Sequence, residues 1–360
     1  MAAITPQELQ EAIRQGLQSD IQTAILSTNT NEVSGLPDSL RFYTVLDSVL
    51  ALPVAPPENK EINGPLLELP PTLSGYNFLS RDTVLNIHTY QLSNGVQVYL
   101  KPTDFLNDQI QFRAFSEGGM DLYEDQDFPS ARYGFGILNE SGLDTFKESE
   151  LLRILSGKQV RLSPYMNATE EGLSGGSNQE DVETMLQLAY LYFTRPRFDS
   201  IVLTNYIDRQ RRVFEKIDTN PRTAFGRMMI DKKYDYHLRR PNISLTDFEE
   251  INLQRAEEIY RERFADIGDF QLIFVGNFEP DSLLQQVDHY LGHLPVLDTE
   301  ESWQDRGLRL HSQPFDTIVR AGQTPKAEIN LTWHSDFNYA DRNERLHHTV
   351  LREVLSIRLR

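Results

Sequence analysis

The segment Phe274–Pro295, FVGNFEPDSLLQQVDHYLGHLP, joins an apolar run to a helical pattern. The short run LIFV, bounded by a glycine, favours a buried strand. The helix that follows is ended by Gly292 and Pro295. Its apolar positions recur at helical spacing and predict one buried stripe, formed by Leu283, Leu284, Val287, Leu291 and Leu294. The segment therefore predicts a buried strand followed directly by an amphipathic helix.

Two histidines, His289 and His293, lie four residues apart in this helix, and Gly292 stands where the zinc motif H-x-x-E-H has its glutamate. A zinc site would need a third ligand and usually a carboxylate base, and no neighbouring residue supplies either. The buried stripe leaves both histidines on its flank, near the helix C-terminus, where partial positive charge is favourable. The pattern predicts solvated histidines rather than metal ligands.

Composition narrows the possible partners. The 360 residues carry a net charge of -18, which repels phosphate backbones and argues against nucleic acid. The chain has no cysteine, so disulfides, thiolate metal sites and thiol nucleophiles are excluded. The sequence contains no apolar run long enough to span a bilayer, and its first residues lack the features of a signal peptide. A cysteine-free chain fits a bacterial periplasmic or other extracytoplasmic protein, but the sequence does not fix the compartment.

The chain divides at a proline-rich segment. Residues 6–18 predict a helix and residues 21–26 a strand, whereas the prolines between Pro53 and Gly75 favour an extended linker. Beyond it, Asn94-Gly95 predicts a hairpin turn, because both residues tolerate positive φ. The remaining patterns predict a strand at 108–119, a strand pair within 159–177 and a buried strand at 269–278. They predict helices near 129, 147–157, 178–196, 200–217, 221 and 253–264, and a hairpin-like region at 316–335. A final helix is predicted with these residues inside: Leu346, Val350, Leu351, Val354 and Leu355.

Two further motifs were weighed against ordinary structure. GLSGG places Ser174 in a G-x-S-x-G pattern, but a nucleophile elbow requires a helix that starts at the serine, and here the helical pattern starts later. The segment DLYEDQDFPS brings together four acidic residues but lacks the glycine and the distal glutamate of an EF-hand loop. We therefore expect a loop serine and a solvated acidic loop rather than a catalytic serine and a calcium site.

The segment FVGNFEPDSLLQQVDHYLGHLP resembles the strand–helix element of the insulinase/pitrilysin family of zinc peptidases. LSNGVQVYLKPTDF and SEGGMDLYEDQDFPSA resemble the opening of the C-terminal half of the bacterial single-chain members, and QLAYLYFTRPRFD fits the helix that follows. The resemblance covers most of residues 80–360. It implies an α+β fold of insulinase/mitochondrial-processing-peptidase-like repeats, with antiparallel or mixed sheets and helices packed on one face.

The resemblance also implies where a zinc site would lie. The zinc helix of the family corresponds to ARYGFGILNESG. Aligned on its last glycine, Tyr133 and Ile137 take the two histidine positions and Gly136 takes that of the general-base glutamate. Asp208 and Glu215 match a later pair of acids, of which the second is the third ligand in the family. Because one carboxylate does not hold zinc, these are degenerate positions, and the resemblance implies no cofactor in this chain.

The resemblance further implies four regions and a role. The regions are 1–29, the tail of a preceding α/β domain; 30–85, a linker; 86–296, an inactive α+β domain; and 297–360, the truncated start of the next. The expected role is that of a non-catalytic half, which walls a peptide-binding chamber while a catalytic half, in the same polypeptide or a separate subunit, holds the zinc. The alternatives are a stand-alone pseudopeptidase that acts as a scaffold or partner subunit and, in third place, a hydrolase that uses Ser174.

Overall fold

The computed structural model describes residues 4–17, 25, 36–53, 66–67, 75–217, 220–297, 302–320, 327–334 and 338–359. The chain forms two compact units, Met1–Glu61 and Ile62–Arg360. Among the residues that the structure describes, no helix is both long enough and apolar enough to cross a membrane.

The first unit contains two helices, α1 (Pro6–Leu17) and α2 (Ser39–Leu50). Helix α1 confirms the helix predicted at 6–18, whereas the strand predicted at 21–26 lies outside the described residues except for Ile25. Helix α2 falls within the predicted linker 30–85. It forms because Asp38 caps it, accepting a 2.8 Å hydrogen bond from the Arg41 amide, and because no proline falls between Ser39 and Leu50.

A seven-stranded mixed sheet forms the centre of the second unit, in the order β1-β2-β3-β7-β4-β6-β5. Strands β3 and β7 are parallel and the other neighbours are antiparallel. Strand β1 pairs with β2, so the sheet begins before residue 86, where the domain was expected to start. The strands are β1 (Tyr76–Asp82), β2 (Ile87–Leu92), β3 (Gln97–Pro102), β4 (Ile110–Glu117), β5 (Val160–Met166), β6 (Glu170–Ser177) and β7 (Gln271–Gly276).

Helices cover one face of this sheet, which confirms the predicted α+β class. Along β4 and β7 buried and exposed residues alternate, as expected when one face packs against helices and the other meets solvent. The helices of the unit are α3 (Phe128–Ser141), α4 (Glu148–Ile154), α5 (Val182–Thr194), α6 (Ser200–Ile217), α7 (Pro221–Lys233), α8 (Leu245–Glu249), α9 (Leu253–Phe264), α10 (Pro280–Leu291) and α11 (Arg342–Arg358).

The predicted strand and helix of the segment Phe274–Pro295 are β7 and α10. The buried stripe of α10 is as expected, with Leu284, Val287 and Leu291 fully buried. The predicted hairpin turn joins β2 to β3, and Gly95 has a φ of 92°. The Asn94 side chain donates to the carbonyls of Leu291 and Leu294, at 3.0 and 3.1 Å. The turn thereby satisfies carbonyl groups at the end of α10 and fixes that helix on the sheet.

Two predictions were wrong: the first residue of α5 and the hairpin-like region at 316–335. Helix α5 begins at Val182 rather than after residue 177, because Asn178 accepts the Asp181 amide in a turn before the helix, at 2.7 Å. The described residues of the region 316–335 contain no strand, and a two-stranded hairpin without further packing is only marginally stable.

Helix α11 forms as predicted, but its apolar stripe is not inside. These side chains are between 37% and 60% exposed, because the described residues place nothing over them: Leu346, Val350, Leu351, Val354 and Leu355.

Replacing Phe274 by alanine is expected to lower the free energy of unfolding by about 3–5 kcal/mol. Its ring is fully buried and stacks on that of Phe112, with centroids 4.6 Å apart, so truncation leaves a cavity at the centre of the sheet. Val275, the next residue, lies on the opposite face and is half-buried, so Val275→Ala is the matched control and should cost less than about 1 kcal/mol. Urea unfolding of both variants measures the difference, and equal losses would contradict this account of the core.

Candidate functional site

Three helices, α3, α6 and α8, enclose an aromatic cluster at the place where the resemblance puts a zinc site. Phe248 from α8 lies at its centre and is 1% exposed. The Phe248 ring is 4.6 Å from that of Tyr133, and 5.8 and 5.9 Å from those of Tyr206 and Phe214. We call this the Phe248 cluster; its other members are Ile137, Phe198, Val202, Leu203, Ile207, Ile243, Ile251 and Leu253.

The positions matched to the zinc helix are part of this cluster. Tyr133 and Ile137 are buried on one side of α3, and both pack within it. A Cβ added to Gly136 would come within 4.0 Å of the Tyr206 hydroxyl. Ile137 has no donor atom, and burial raises the pKa of the Tyr133 phenol, which keeps it neutral and makes it a poor metal ligand. These residues do not fit a zinc ion.

The two matched acids on α6 lie apart from the cluster. Asp208 pairs with Arg211 at 2.9 Å, and the Asp208 side chain is 48% exposed. Glu215 is exposed. The positions immediately before them, Ile207 and Phe214, pack in the cluster instead. The structure therefore brings Tyr133 and Ile137 together in an apolar environment and leaves Asp208 and Glu215 in contact with solvent.

The histidine pair of α10 is not a metal site. His289 is half-exposed and His293 is exposed beyond the end of the helix. A glutamate at position 292 would not fit, because a Cβ added to Gly292 would lie 2.4 Å from Asp288 Oδ1 and 2.6 Å from the Asp288 carbonyl oxygen. Over the described ranges, no three histidine, aspartate or glutamate side chains are arranged to hold a metal ion.

Ser174 lies in the middle of a strand rather than at a strand-to-helix turn. It is exposed on β6, where it pairs with Arg113 of β4 and Ser163 of β5. Helix α5 begins eight residues later, at Val182, so its amides cannot form an oxyanion hole at this serine. The structure explains why the flanking residue 175 is a glycine, since a Cβ there would lie 1.9 Å from the Arg161 carbonyl oxygen on the neighbouring strand.

The four acids of the loop between β4 and α3 each pair with an arginine, so they are not simply solvated as predicted. We call residues 119–127 the acidic loop. Glu124 and Asp125 remain mostly exposed, with 73% and 68% of their side-chain surface accessible, although both are paired. The pairs are Arg239 with Asp121 and Asp125, Arg255 with Asp127, and Arg306 with Glu124.

Beneath the acidic loop lies a buried ion pair that no sequence pattern predicted. Glu171, fully buried on β6, is 3.2 Å from Arg263 Nε of α9. The carboxylate also accepts the Gly119 amide at 2.6 Å. Burial raises the pKa of Glu171 to about 7, against the opposing effect of the Arg263 charge. The pair joins the sheet, α9 and the acidic loop at one point.

Comparison with known proteins finds similar sequences among zinc proteases, although no family model matches the chain. The chain is similar to the probable zinc protease PqqL of Haemophilus influenzae, with 23% identity in an alignment of 291 positions that covers 75% of this chain and 30% of that protein. A zinc protease PQQL-like protein of Arabidopsis thaliana is 27% identical in an alignment of 247 positions that covers 67% of this chain and 23% of that protein.

Solved structures agree in fold. The periplasmic protease PqqL from Escherichia coli matches with a TM-score of 0.58 at 19% identity, over 86% of this chain and 34% of that one. The ferredoxin protease FusC, solved in complex with Arabidopsis ferredoxin, matches with a TM-score of 0.55 at 17% identity, over 77% and 30%. These similarities confirm the resemblance to insulinase-like zinc proteases and the fold. The chain spans 23–30% of the length of the two curated relatives.

Writing the zinc motif into α3 is expected to destabilise the protein without creating a zinc site. The triple variant Tyr133→His, Gly136→Glu, Ile137→His puts polar groups into an apolar cluster, while Asp208 and Glu215 stay at the solvent side. We expect a loss of more than about 3 kcal/mol in urea unfolding and substoichiometric zinc by mass spectrometry. The control Glu215→Gln should change stability by less than about 0.5 kcal/mol. One zinc ion bound per chain would refute this interpretation.

Replacing Glu171 by glutamine should flatten the pH dependence of stability between pH 5 and 8. Burial raises the pKa of Glu171 from its ordinary value of 4.5 to about 7, so the folded protein retains a proton that the unfolded chain releases. This contribution is fully present below pH 4.5 and is lost as the pH rises through 7. Urea unfolding at several pH values measures the effect. Glu170→Gln, at the adjacent position, is the control and should keep the wild-type profile; an unchanged profile for Glu171→Gln would contradict the argument.

Proposed function

We propose that this chain is part of the non-catalytic half of an insulinase-like zinc endopeptidase and lines its peptide-binding chamber. The Phe248 cluster carries the proposal, because apolar and aromatic side chains surround the positions that the resemblance matches to the zinc helix. The similarity to PqqL-type zinc proteases supports the family context. The fold shared with the Escherichia coli protein supports the architecture.

The zinc of the assembly would belong to a catalytic half, in the same polypeptide or in a separate subunit. There it would supply a Lewis acid and an activated water molecule. The proposed contribution of the present chain is to hold the substrate. The matched positions Tyr133 and Ile137 provide no ligand for the metal. An extended peptide can bind to such a half by pairing with an exposed sheet edge.

Of the two outer strands of the sheet, β1 is the better template for an added peptide strand. Strands β1 and β5 stand at the ends of the strand order. Strand β5 contains Pro164, which removes one backbone donor, whereas β1 has no proline. Phe78 and Leu79 of β1 are 58% and 47% exposed and offer apolar contacts beside the edge. This arrangement supports recognition of main chain with little demand on sequence.

The periplasm is the compartment that we propose for the assembly. The relative from Escherichia coli is described as a periplasmic protease. The absence of cysteine in all 360 residues is compatible with an oxidising compartment.

A second candidate is a pseudopeptidase that serves as a scaffold or partner subunit without assisting hydrolysis. It is favoured by the same Phe248 cluster, because the loss of metal ligands does not by itself imply a role in substrate binding. The two functions differ in what the chain does to a catalytic half. A scaffold binds it and leaves peptide turnover unchanged, whereas a chamber wall raises turnover.

Mixing the chain with a zinc-bearing half, taken from an upstream or neighbouring reading frame that encodes H-x-x-E-H, tests the proposal. The substrate is an internally quenched peptide of about ten residues. We expect no chelator-sensitive hydrolysis by the chain alone, and an increase in kcat/KM of about tenfold or more when the halves are combined, because substrate positioning contributes strongly to rate. A catalytic half with its motif glutamate replaced by glutamine is the control. Chelator-sensitive activity of the isolated chain would refute the proposal; binding without activation would favour the scaffold.

A further inference from the structure

The segment 302–311, which comes after α10 in the chain, is bound to the acidic loop through one arginine. Arg306 Nε and Nη2 donate to the carbonyl oxygens of Asp121 and Leu122, at 2.6 and 2.8 Å. Arg306 Nη1 donates to the Glu124 carboxylate at 3.0 Å. Only 16% of the Arg306 side chain is exposed, so it is inserted into the loop rather than lying on the surface. We call residues 302–311 the strap.

The far end of the strap is held by a second set of contacts. The His311 amide donates to the Lys233 carbonyl oxygen at the end of α7, at 2.8 Å. His311 Nδ1 lies 2.6 Å from Asp235 Oδ1. Asp235 and Tyr236 have φ values of 50° and 57°, so the turn that presents this carboxylate is in the left-handed region. The strap is thus attached at two places on different elements.

The acidic loop keeps its shape through bonds that do not involve the strap. Arg239, with 2% of its side chain exposed, donates to the carbonyl oxygens of Met120 and Tyr123, at 3.2 and 2.7 Å. Arg239 also pairs with Asp121 and Asp125. The Met120 and Asp121 amides are bonded to the turn between β5 and β6. The carbonyls that receive Arg306 are therefore fixed in position before the strap binds, which lowers the entropic cost of docking.

We propose that the strap is a reversible latch, which is closed when the Arg306 side chain is bound to the acidic loop and open when that side chain has dissociated. Docking of Arg306 holds the first part of the strap on the acidic loop, and undocking releases that part while His311 still holds the far end. Between these two attachments the strap has little other hold, since Trp303 and Arg309 are exposed. Arg306 is a positioning residue. A lysine could not replace it, because a single ammonium cannot span two carbonyls and a carboxylate in this geometry.

Chymotrypsin cleavage of the complete chain, followed by mass spectrometry, tests the latch at Trp303, Leu308 and Leu310. Arg306→Ala should speed cleavage at these sites about tenfold, because charge-assisted hydrogen bonds hold the strap closed and cleavage follows the open population. Arg306→Lys should give most of the same increase. Arg309→Ala is the matched control, since the partners of Arg309 among the described residues are Asp305, inside the strap, and the Leu308 carbonyl beside it.

Hydrogen exchange on the same variants separates a local latch from general loss of stability. In Arg306→Ala, faster exchange should be confined to the strap and the acidic loop, and amides of β4 and β7 should keep their wild-type rates. Unchanged cleavage of the strap in Arg306→Ala would overturn the proposal. Equal acceleration in the strap and in the central strands would also overturn it, because the arginine would then stabilise the whole unit.

Discussion

Strand β7 lies between β3 and β4, and the remainder of the second unit depends on this insertion. It pairs in parallel with β3 and antiparallel with β4, so the strand groups β1-β2-β3 and β4-β6-β5 are joined through it. Its Phe274 ring stacks on Phe112 at the middle of the joined sheet. Because β7 comes after all the other strands in the chain, the sheet closes only when contacts of large sequence separation form, and such contacts are costly in loop entropy.

Local signals predicted much of this fold. The Asn94-Gly95 turn and the leucine stripe of α10 each depend on a few neighbouring residues, and both are present. The arginine contacts of the acidic loop could not be predicted, since Arg239 and Arg306 come from more than a hundred residues further along the chain. The ion pair of Glu171 with Arg263 could not be predicted either, because no spacing rule connects the two residues. The prediction for α11 was wrong for another reason. Its sequence pattern specified an apolar face but not whether another element covers that face.

The positions that the resemblance matches to a zinc helix lie in an apolar cluster. A zinc site needs donors held apart from competing contacts and oriented by further hydrogen bonds. At the corresponding place Tyr133 and Ile137 pack against Phe248, and the same helices gain stability from burial instead. The acids at 208 and 215 could be matched from the sequence. Whether their side chains point inward could not be predicted, because Ile207 and Phe214 determine which face of α6 packs inward.

The close approach of Gly292 to Asp288 limits how the His289-x-x-x-His293 pattern can change over generations. Asp288 is 1% exposed and accepts the Gly75 amide at 3.0 Å, so it is not free to move aside. A glutamate at position 292 would require both the side chain and the backbone of Asp288 to shift, because the added Cβ meets both, and that shift loses a buried hydrogen bond before any metal affinity appears. The intermediate variant would be less stable than the present protein. Single mutations are therefore unfavourable as a route from His289-x-x-x-His293 to a metalloprotease signature.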